Sequence, residues 1–287
     1  MRYDRLAFLF LAAVFIMNAS PLVADDERKT KPISPKTNVI KLFNGNDLTG
    51  LYTFLKDTKY EDPRKVFTVS DGMLHISGDG LGAILTKKDY RDYHLVCEFK
   101  WGTRTWHTRK DKTKDSGVLV HCVGPDGTYG GIWPASIEAQ IIEGGVGDFI
   151  LVGGTYADGS KVPLSLTAEV TKDRDGESVW HKGGEKKTFH SGRINWYGRD
   201  PDWKDVIGFR GKQDVESPDG QWTRMDVICD GGHITNIVNG TIVNEGFDSF
   251  PTAGKILIQT ELAELYVRRW ELWPLGKAPA FRNPNEK

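Results

Sequence analysis

From about Val39 onward, short runs of alternating apolar and polar residues dominate the chain, and the periodicity typical of helices is nearly absent. In the segment 93–101, every odd-numbered residue is apolar or aromatic, whereas His94, Glu98 and Lys100 occupy alternate positions. Because successive side chains of a strand point to opposite faces, this alternation predicts strands with one face in a core. The chain shows no βαβ alternation, which argues against a parallel sheet.

Ten runs rich in β-forming residues are bounded by glycine, asparagine or aspartate turns, and we predict a strand at each. They are Phe67–Val69, Met73–Ser77, Tyr93–Trp101, Gly117–Val123, Ile137–Glu143, Trp222–Asp230, Ile234–Val238, Thr241–Asn244, Ile256–Thr260 and Leu265–Leu272. The Asn239-Gly240 dipeptide predicts a two-residue hairpin turn, because both residue types tolerate positive φ. The pattern therefore predicts one all-β sandwich domain at about residues 38–276.

The two ends of the chain differ from this domain. Arg2 and Arg5 precede an apolar run, 6–17, which is shorter than the roughly 20 residues of a membrane span. We therefore predict a signal peptide at residues 1–24, with an uncleaved anchor as the alternative, and export to the periplasm or the extracellular space. Residues 25–37 are charged and contain two prolines, which predicts a flexible leader, and residues 277–287 form a tail.

Composition narrows the class of partner. The formal net charge of −1 argues against nucleic acid, and after signal cleavage we expect no membrane association. Three cysteines are too few for a disulfide scaffold. Cys97 and Cys122 lie in consecutive predicted strands and could pair, but buried free thiols explain them equally well, as they do Cys229.

Two segments interrupt the strand pattern. Residues 169–221 are rich in Lys, Asp and Gly and contain several aromatic residues, and residues 102–115 form a shorter basic excursion with Trp106 and His107. Loops of this length are usually functional or have structure of their own. We expect most of the aromatic residues to pack on the sandwich and one or two to lie at the rim of a site.

Six segments occur in an order that is informative as a set. They are VIKLFNGNDLTGL (39–51), the stretch 67–101, SGVLVHC (116–122), IEAQIIE (137–143), GQWTRMDVICDGGHITNIVNGTIV (220–243) and GKILIQTELAELYVRRWELWPL (254–275). Together they resemble the 3-keto-disaccharide hydrolase family, also described as 3-keto-glucoside lyase/hydratase, whose fold is a concanavalin A-like jelly roll. His121, Glu143 and Thr223 stand where that family usually has Arg, Asp and Asn.

The resemblance implies a substrate that is a glucoside, disaccharide or oligosaccharide already oxidised at C3. Members are described as cleaving it or as hydrating the 2-hydroxy-glucal that elimination leaves. A ketone at C3 acidifies the proton on C2, so the site needs a base whose pKa lies near the working pH. It also needs a group that stabilises the developing enolate.

The candidate catalytic residues are Glu138, Gln140, His121, Glu98 and Glu143. Glu138 and Gln140 come first, because they share the polar face of an otherwise apolar strand within a segment that resembles the family. We expect His121 and Glu98 to project from the polar faces of nearby strands.

Other interpretations of these residues remain open. Glu98 could be a solvated cross-strand partner, and His121 could be a structural hydrogen-bonding residue, a base or a metal ligand. A His/Glu cluster could hold a divalent cation against the C3 carbonyl, but the sequence contains no compact ligand motif. No cofactor is therefore assigned, and a requirement for a metal is left open.

Two other classes of protein fit the same pattern. A conventional retaining glycosidase would use Glu138 and Glu143 as its carboxylate pair, and it would need a bulge to bring both to one face. A non-catalytic carbohydrate-binding module would present aromatic and amide groups without a convergent ionisable pair.

Overall fold

The computed structural model describes residues 31–286, which form eighteen β-strands and a single 3₁₀ turn at His107–Arg109. The strands are β1 Ile40–Lys41, β2 Leu51–Leu55, β3 Phe67–Ser70, β4 Met73–Ile76, β5 Leu81–Thr86, β6 Tyr93–Thr105, β7 Asp115–Val123, β8 Ala135–Ile142, β9 Phe149–Val152, β10 Ser165–Lys172, β11 Ser178–Trp180, β12 Glu185–Phe189, β13 Gly192–Ile194, β14 Thr223–Asp230, β15 His233–Val238, β16 Thr241–Phe250, β17 Lys255–Glu261 and β18 Ala263–Trp273. The ten predicted strands are all present, and the prediction of an all-β fold is confirmed. No helix among the described residues has both the length and the apolar character needed to span a membrane.

The described strands form two antiparallel sheets. The eleven-stranded sheet has the order β11-β10-β16-β15-β14-β6-β18-β4-β3, with β1 beside β18 and β12 beside β10. The seven-stranded sheet has the order β13-β9-β8-β7-β17-β5-β2. Neighbours in space are often distant in sequence, as expected of a concanavalin A-like jelly roll, which is the fold of this chain.

The core lies between the inner faces of the two sheets. Leu95, Phe99 and Trp270 of the eleven-stranded sheet and Ile137 and Phe149 of the seven-stranded sheet are fully or almost fully buried in one apolar cluster. A smaller cluster, which includes Phe54, Leu119, Trp133 and Leu257, covers part of the outer face of the seven-stranded sheet. The side chains of this cluster shield part of the outer face from water, and polar side chains on it can be buried.

The Asn239-Gly240 turn is confirmed, with φ of +47° and +82° between β15 and β16. Only glycine and a few polar residues adopt such angles at low cost, which explains why this dipeptide stands here.

The excursion at 169–221 has structure of its own. It completes β10, adds β11 and β12 beside that strand, and supplies β13 to the edge of the seven-stranded sheet. Its aromatic residues mostly pack, as expected: Trp180, Phe189 and Trp196 are buried, whereas Tyr197 is exposed.

The predicted leader and tail are partly fixed to the domain. Ile33 forms a parallel bridge with Tyr90, so the described part of the leader, from residue 31, is held against the sandwich, where flexibility was expected. In the tail, the carbonyl oxygens of Pro279 and Ala280 accept hydrogen bonds from Arg224. The predicted signal peptide and residues 25–30 lie outside the described residues.

The three cysteines are free and buried. Cys97 belongs to the core between the sheets, whereas Cys122 belongs to the small cluster on the outer face. The two thiols therefore lie on opposite faces of the seven-stranded sheet, and the Cys97–Cys122 disulfide that the sequence left open is not formed.

Candidate functional site

The candidate site starts from Glu138 and Gln140 on β8. Pairing of β8 with β7 runs without a register shift from Asp115–Ile142 to Val120–Ile137, so side chains alternate strictly along this part of β8. Ile137 and Ala139 point into the core, and Glu138 and Gln140 therefore point to the outer face. Glu138 is only 3% exposed, so its carboxyl is buried outside the main core.

β7 brings a second carboxyl and a glycine to the same face. Asp115 accepts a hydrogen bond from Nε2 of Gln140 at 2.6 Å, across the strand pair. Gly117 lies opposite Gln140, and a Cβ atom placed on it would overlap Oε1 of Glu138 and Oε1 of Gln259. Because position 117 is glycine, the Glu138 carboxyl has room directly above the β7 backbone.

β17 adds Gln259 and Glu261 from the other side of β7. Ile258 pairs with Val118, so Gln259 and Glu261 continue on the face that carries Gly117 and Asp115. Oε1 of Glu138 and Oε1 of Gln259 are both buried without a hydrogen-bond partner. Two acceptor oxygens above one glycine need a donor, which a proton on Glu138 or a ligand hydroxyl can supply.

Glu138, Asp115 and Glu261 form what we call the acid row, and two arginines from the excursions flank it. Arg109, from the 3₁₀ turn of the excursion 102–115, donates to Asp115 Oδ2 at 2.6 Å. Arg193 of β13 lies at the other end of the row and approaches Asp148 at 3.4 Å. Both segments that interrupt the strand pattern thus supply a cation to this face.

Burial dominates the electrostatics of the acid row. It raises the pKa of Glu138 well above its usual range, and the Asp115 carboxylate raises that pKa further. Burial raises the pKa of Asp115 to about 6, although the Arg109 guanidinium opposes the shift. The pKa of Glu261 is raised well above its usual range by burial and by both other carboxyls. The row therefore holds protons at a pH where isolated carboxyls have lost them.

The structure does not bring His121 to this face. His121 follows Val120 at a bulge in β7, with φ of +54°, and its ring packs edge-on against Tyr93 of the opposite sheet. Its Nδ1 donates to the carbonyl oxygen of Pro251 at 2.9 Å, and burial lowers its pKa to about 4. His121 is a neutral side chain in the core, where a bulge has shifted the alternation that predicted a polar face.

Glu98 lies on the other sheet altogether. It occupies the outer face of β6 in the eleven-stranded sheet, where Arg268 and Arg269 donate to its two carboxyl oxygens at 2.8 and 3.3 Å. The expectation that it projects beside Glu138 is wrong, because alternation within a strand fixes the face but not the sheet. Its hydrogen-bond partners are these two arginines.

Glu143 follows the end of β8 and is turned away from the acid row. Its Oε2 accepts hydrogen bonds from the backbone N–H groups of Lys114 and Gly208, each at 2.9 Å. The regular register of β8 contains no bulge that would bring Glu138 and Glu143 to one face. Glu143 instead ties the excursion 169–221 to the end of the sheet.

Sequence reasoning missed Asp115, Arg109, Arg193, Gln259 and Glu261. Gln259 and Glu261 carry the signal that singled out Glu138 and Gln140, namely polar residues two apart in an apolar strand. The arginines carry no such signal, because Arg109 reaches the face from the 3₁₀ turn and Arg193 from the three-residue strand β13 of the excursion 169–221. Among residues 31–286, no group of three or more His, Cys, Asp or Glu side chains has an arrangement that could hold a metal ion.

The fold, with the acid row on one sheet face, is that of a concanavalin A-like jelly-roll protein. A family model described as 3-keto-alpha-glucoside-1,2-lyase-like domain matches residues 38–272. The chain belongs to this family, and the resemblance noted in the sequence is confirmed. Comparison with curated proteins found no match.

Several solved structures are similar to this chain. A protein of Parabacteroides distasonis ATCC 8503, provisionally described as a glycosyl hydrolase, is 18% identical, with 83% of this chain and 94% of that chain covered and a TM-score of 0.46. The carbohydrate-binding module CBM66 of Bacillus subtilis is 9% identical, with coverages of 78% and 95% and a TM-score of 0.44. The β-glucanase of Bacillus licheniformis is 12% identical, with coverages of 84% and 98% and a TM-score of 0.40. These likenesses concern the fold alone.

Proposed function

We propose that this protein is an exported enzyme that cleaves 3-keto-glycosides, or hydrates their elimination product, with Glu138 as the proton-transfer group. The observation that carries the proposal is the acid row: three carboxyls with raised pKa values on one shielded sheet face, flanked by two arginines. A carbohydrate-binding module has no need of such a group of carboxyls, whose burial is costly.

The chemistry needs a base that accepts a proton from carbon near neutral pH. In its ionised form, Glu138 removes the proton from C2, whose electron pair is delocalised onto the C3 oxygen. The C1–O bond then breaks, and the departing oxygen takes a proton. Water adds across the C1–C2 double bond, returning a proton to C2 and a hydroxyl to C1, so the net reaction is hydrolysis.

The neighbouring residues set the properties of Glu138. Burial keeps the pKa of Glu138 high, and the Asp115 carboxylate raises that pKa further by charge repulsion. Both oxygens of Asp115 are occupied, one by Gln140 and one by Arg109. Asp115 is therefore a positioning residue. Arg193, which also lies close enough to lower the pKa of Glu138, is a cation suited to stabilise the enolate oxygen.

The regular β8 strand argues against a conventional glycosidase that uses Glu138 and Glu143. Such a mechanism needs two carboxyls about 5.5 Å apart on one face, and Glu143 is turned away and bound by backbone N–H groups.

The test compares an aryl glucoside with the same glucoside oxidised at C3, each incubated with the mature protein, with and without a chelator. The proposal predicts release of the aryl group above the enzyme-free rate from the oxidised compound only. Loss of that release in chelator would add a metal to the mechanism. Release from the unoxidised compound would instead support a conventional glycosidase, and release from neither, with no consumption of the 2-hydroxy-glucal, would support a binding module.

A further inference from the structure

The members of the acid row differ in whether their carboxyl oxygens are already bound. Both oxygens of Asp115 are occupied, one by Gln140 and one by Arg109. Oε1 of Glu138 is buried without a partner, and within residues 31–286 the side chain of Glu261 has no hydrogen bond or ion pair. The row therefore contains two carboxyls that are free to exchange protons with a ligand, and the mechanism described above uses only Glu138.

The two free carboxyls belong to strands on either side of β7, and the Glu138 side chain crosses part of that gap. A Cβ atom on Gly117 would meet Oε1 of Glu138 and Oε1 of Gln259, so the Glu138 carboxyl lies above β7 and faces β17. Glu261 follows Gln259 on the same face, about 7 Å further along β17, and neighbouring strands are about 4.8 Å apart. Both carboxyls can therefore reach adjacent atoms of one substrate ring held over β7.

The two carboxyls also differ in exposure and in the charges around them. Glu138 is buried, whereas Glu261 is partly exposed at the end of β17, where it can regain a proton from water. Burial raises the pKa of Glu261, and the Asp115 and Glu138 carboxylates raise that pKa further, although the two flanking arginines oppose the shift. Because ionised Glu138 makes Glu261 hold its proton more tightly, the pair favours one ionised and one protonated carboxyl.

We propose that Glu261 is a second catalytic residue, the general acid that gives its proton to the oxygen leaving C1 while Glu138 takes the proton from C2. This inference rests on the proposed function, because it takes the C1–O bond to break at the acid row. The electron pair of that bond goes to the departing oxygen, which receives the Glu261 proton. During hydration, the Glu261 carboxylate accepts a proton from the water that adds to C1, and Glu138 returns its proton to C2, so both groups are restored.

The first test compares leaving groups of different acidity. A nitrophenolate leaves without a proton, whereas methoxide is a poor leaving group that needs one. Glu261→Gln should therefore lower kcat/KM for a methyl 3-keto-glucoside about 10²- to 10⁴-fold and leave kcat/KM for a nitrophenyl 3-keto-glucoside nearly unchanged. Glu261→Asp keeps a proton donor and should recover part of the loss. Glu245→Gln, a matched control, replaces a glutamate paired with His233 on the eleven-stranded sheet and should change neither value.

A second measurement isolates the step at C2. A C3-oxidised glucose analogue with hydrogen in place of the C1 hydroxyl has no leaving group, so exchange of its C2 hydrogen in D₂O needs only the base. NMR should show that Glu261→Gln exchanges this hydrogen at a rate close to that of the wild type. Exchange in Glu138→Gln should not exceed the enzyme-free rate.

The outcomes separate the two proposals, with rates compared at a temperature where every variant is folded. A loss confined to the methyl compound, with exchange at C2 retained, supports Glu261 as the acid. An equal loss on both leaving groups, or no loss on either, overturns this role and leaves the proposed function intact, because the wild type still cleaves both compounds. Absence of both cleavage and exchange in the wild type overturns both proposals.

Discussion

The outer faces of the two sheets both carry buried carboxyls, but they pair them differently. On the eleven-stranded sheet, Glu98 receives hydrogen bonds from two arginines, and Asp226 receives them from Arg224 and His94. On the seven-stranded sheet, Arg109 pairs with Asp115 of the acid row, Arg193 pairs with Asp148 outside it, and Oε1 of Glu138 has no partner. Carboxyls that are fully paired with cations have a structural role, whereas an unpaired buried carboxyl with a raised pKa is a candidate for proton transfer.

Removing the ionisable group at Glu138 should have the largest effect. Glu138→Gln should lower kcat/KM for a 3-keto-glycoside about 10²- to 10⁴-fold, the usual contribution of a positioned acid–base group. Because folding raises the pKa of Glu138 above its ordinary 4.5, its contribution to stability is lost as pH rises through the folded pKa. The melting temperature of the variant should therefore fall less between pH 5 and pH 8 than that of the wild type. Equal activity in variant and wild type would remove Glu138 from the mechanism.

A side chain at position 117 should disturb both the acid row and the stability of the fold. A methyl group at Gly117→Ala would overlap Glu138 and Gln259, and overpacking of this kind costs about 1–3 kcal/mol. Activity should fall together with stability in a urea titration. Gly153→Ala is the matched control, because a Cβ atom there would meet no atom within 4 Å. If both variants keep full activity, the close approach over Gly117 has no functional role.

On the eleven-stranded sheet, we expect a substitution of Glu98 to change the stability of the fold but not the catalytic activity. Glu98→Gln leaves Arg268 and Arg269 without their shared carboxylate and should destabilise the fold by about 1–3 kcal/mol. Its kcat/KM should match that of the wild type at a temperature where both are folded. A selective loss of activity would show that this face takes part in the reaction.

The smallest effect should be a displacement of the pH profile. Asp115→Asn removes the carboxylate that raises the pKa of Glu138, so the limb of the kcat/KM profile that reports Glu138 should move to lower pH. The pH dependence of kcat/KM, measured beside that of Glu98→Gln, checks this. A shift to higher pH, or an equal shift in both variants, would contradict the assigned coupling.

The sequence predicted the strands and one part of the site well. Alternation in β6 and β8 reflects local chemistry, namely which side chains face water or core, and so it is readable from neighbouring residues. It correctly placed Glu138 and Gln140 together on a face other than the core. It missed β1, β2, β5 and β9, and also β10 to β13, which lie in the excursion 169–221 or run into it.

The rest of the site depends on information that a single strand does not contain. Glu98 and Glu138 have equally polar positions, and only the pairing order of the sheets places them on opposite sides of the sandwich. His121 is displaced by a bulge that periodicity does not anticipate. Arg109 reaches the acid row from a 3₁₀ turn and Arg193 from the short edge strand β13, and contacts between such distant parts of the chain leave no periodic trace in sequence.

The central claim is that the reaction proceeds through the proton on C2, and solvent deuterium tests it most directly. Cleavage of a 3-keto-glycoside in D₂O, followed by NMR of the 3-keto sugar product, reports whether C2 has gained deuterium, with the product incubated without enzyme as the control. The account predicts enzyme-dependent deuterium at C2 and its loss in Glu138→Gln. Cleavage that leaves the original hydrogen on C2 would contradict it.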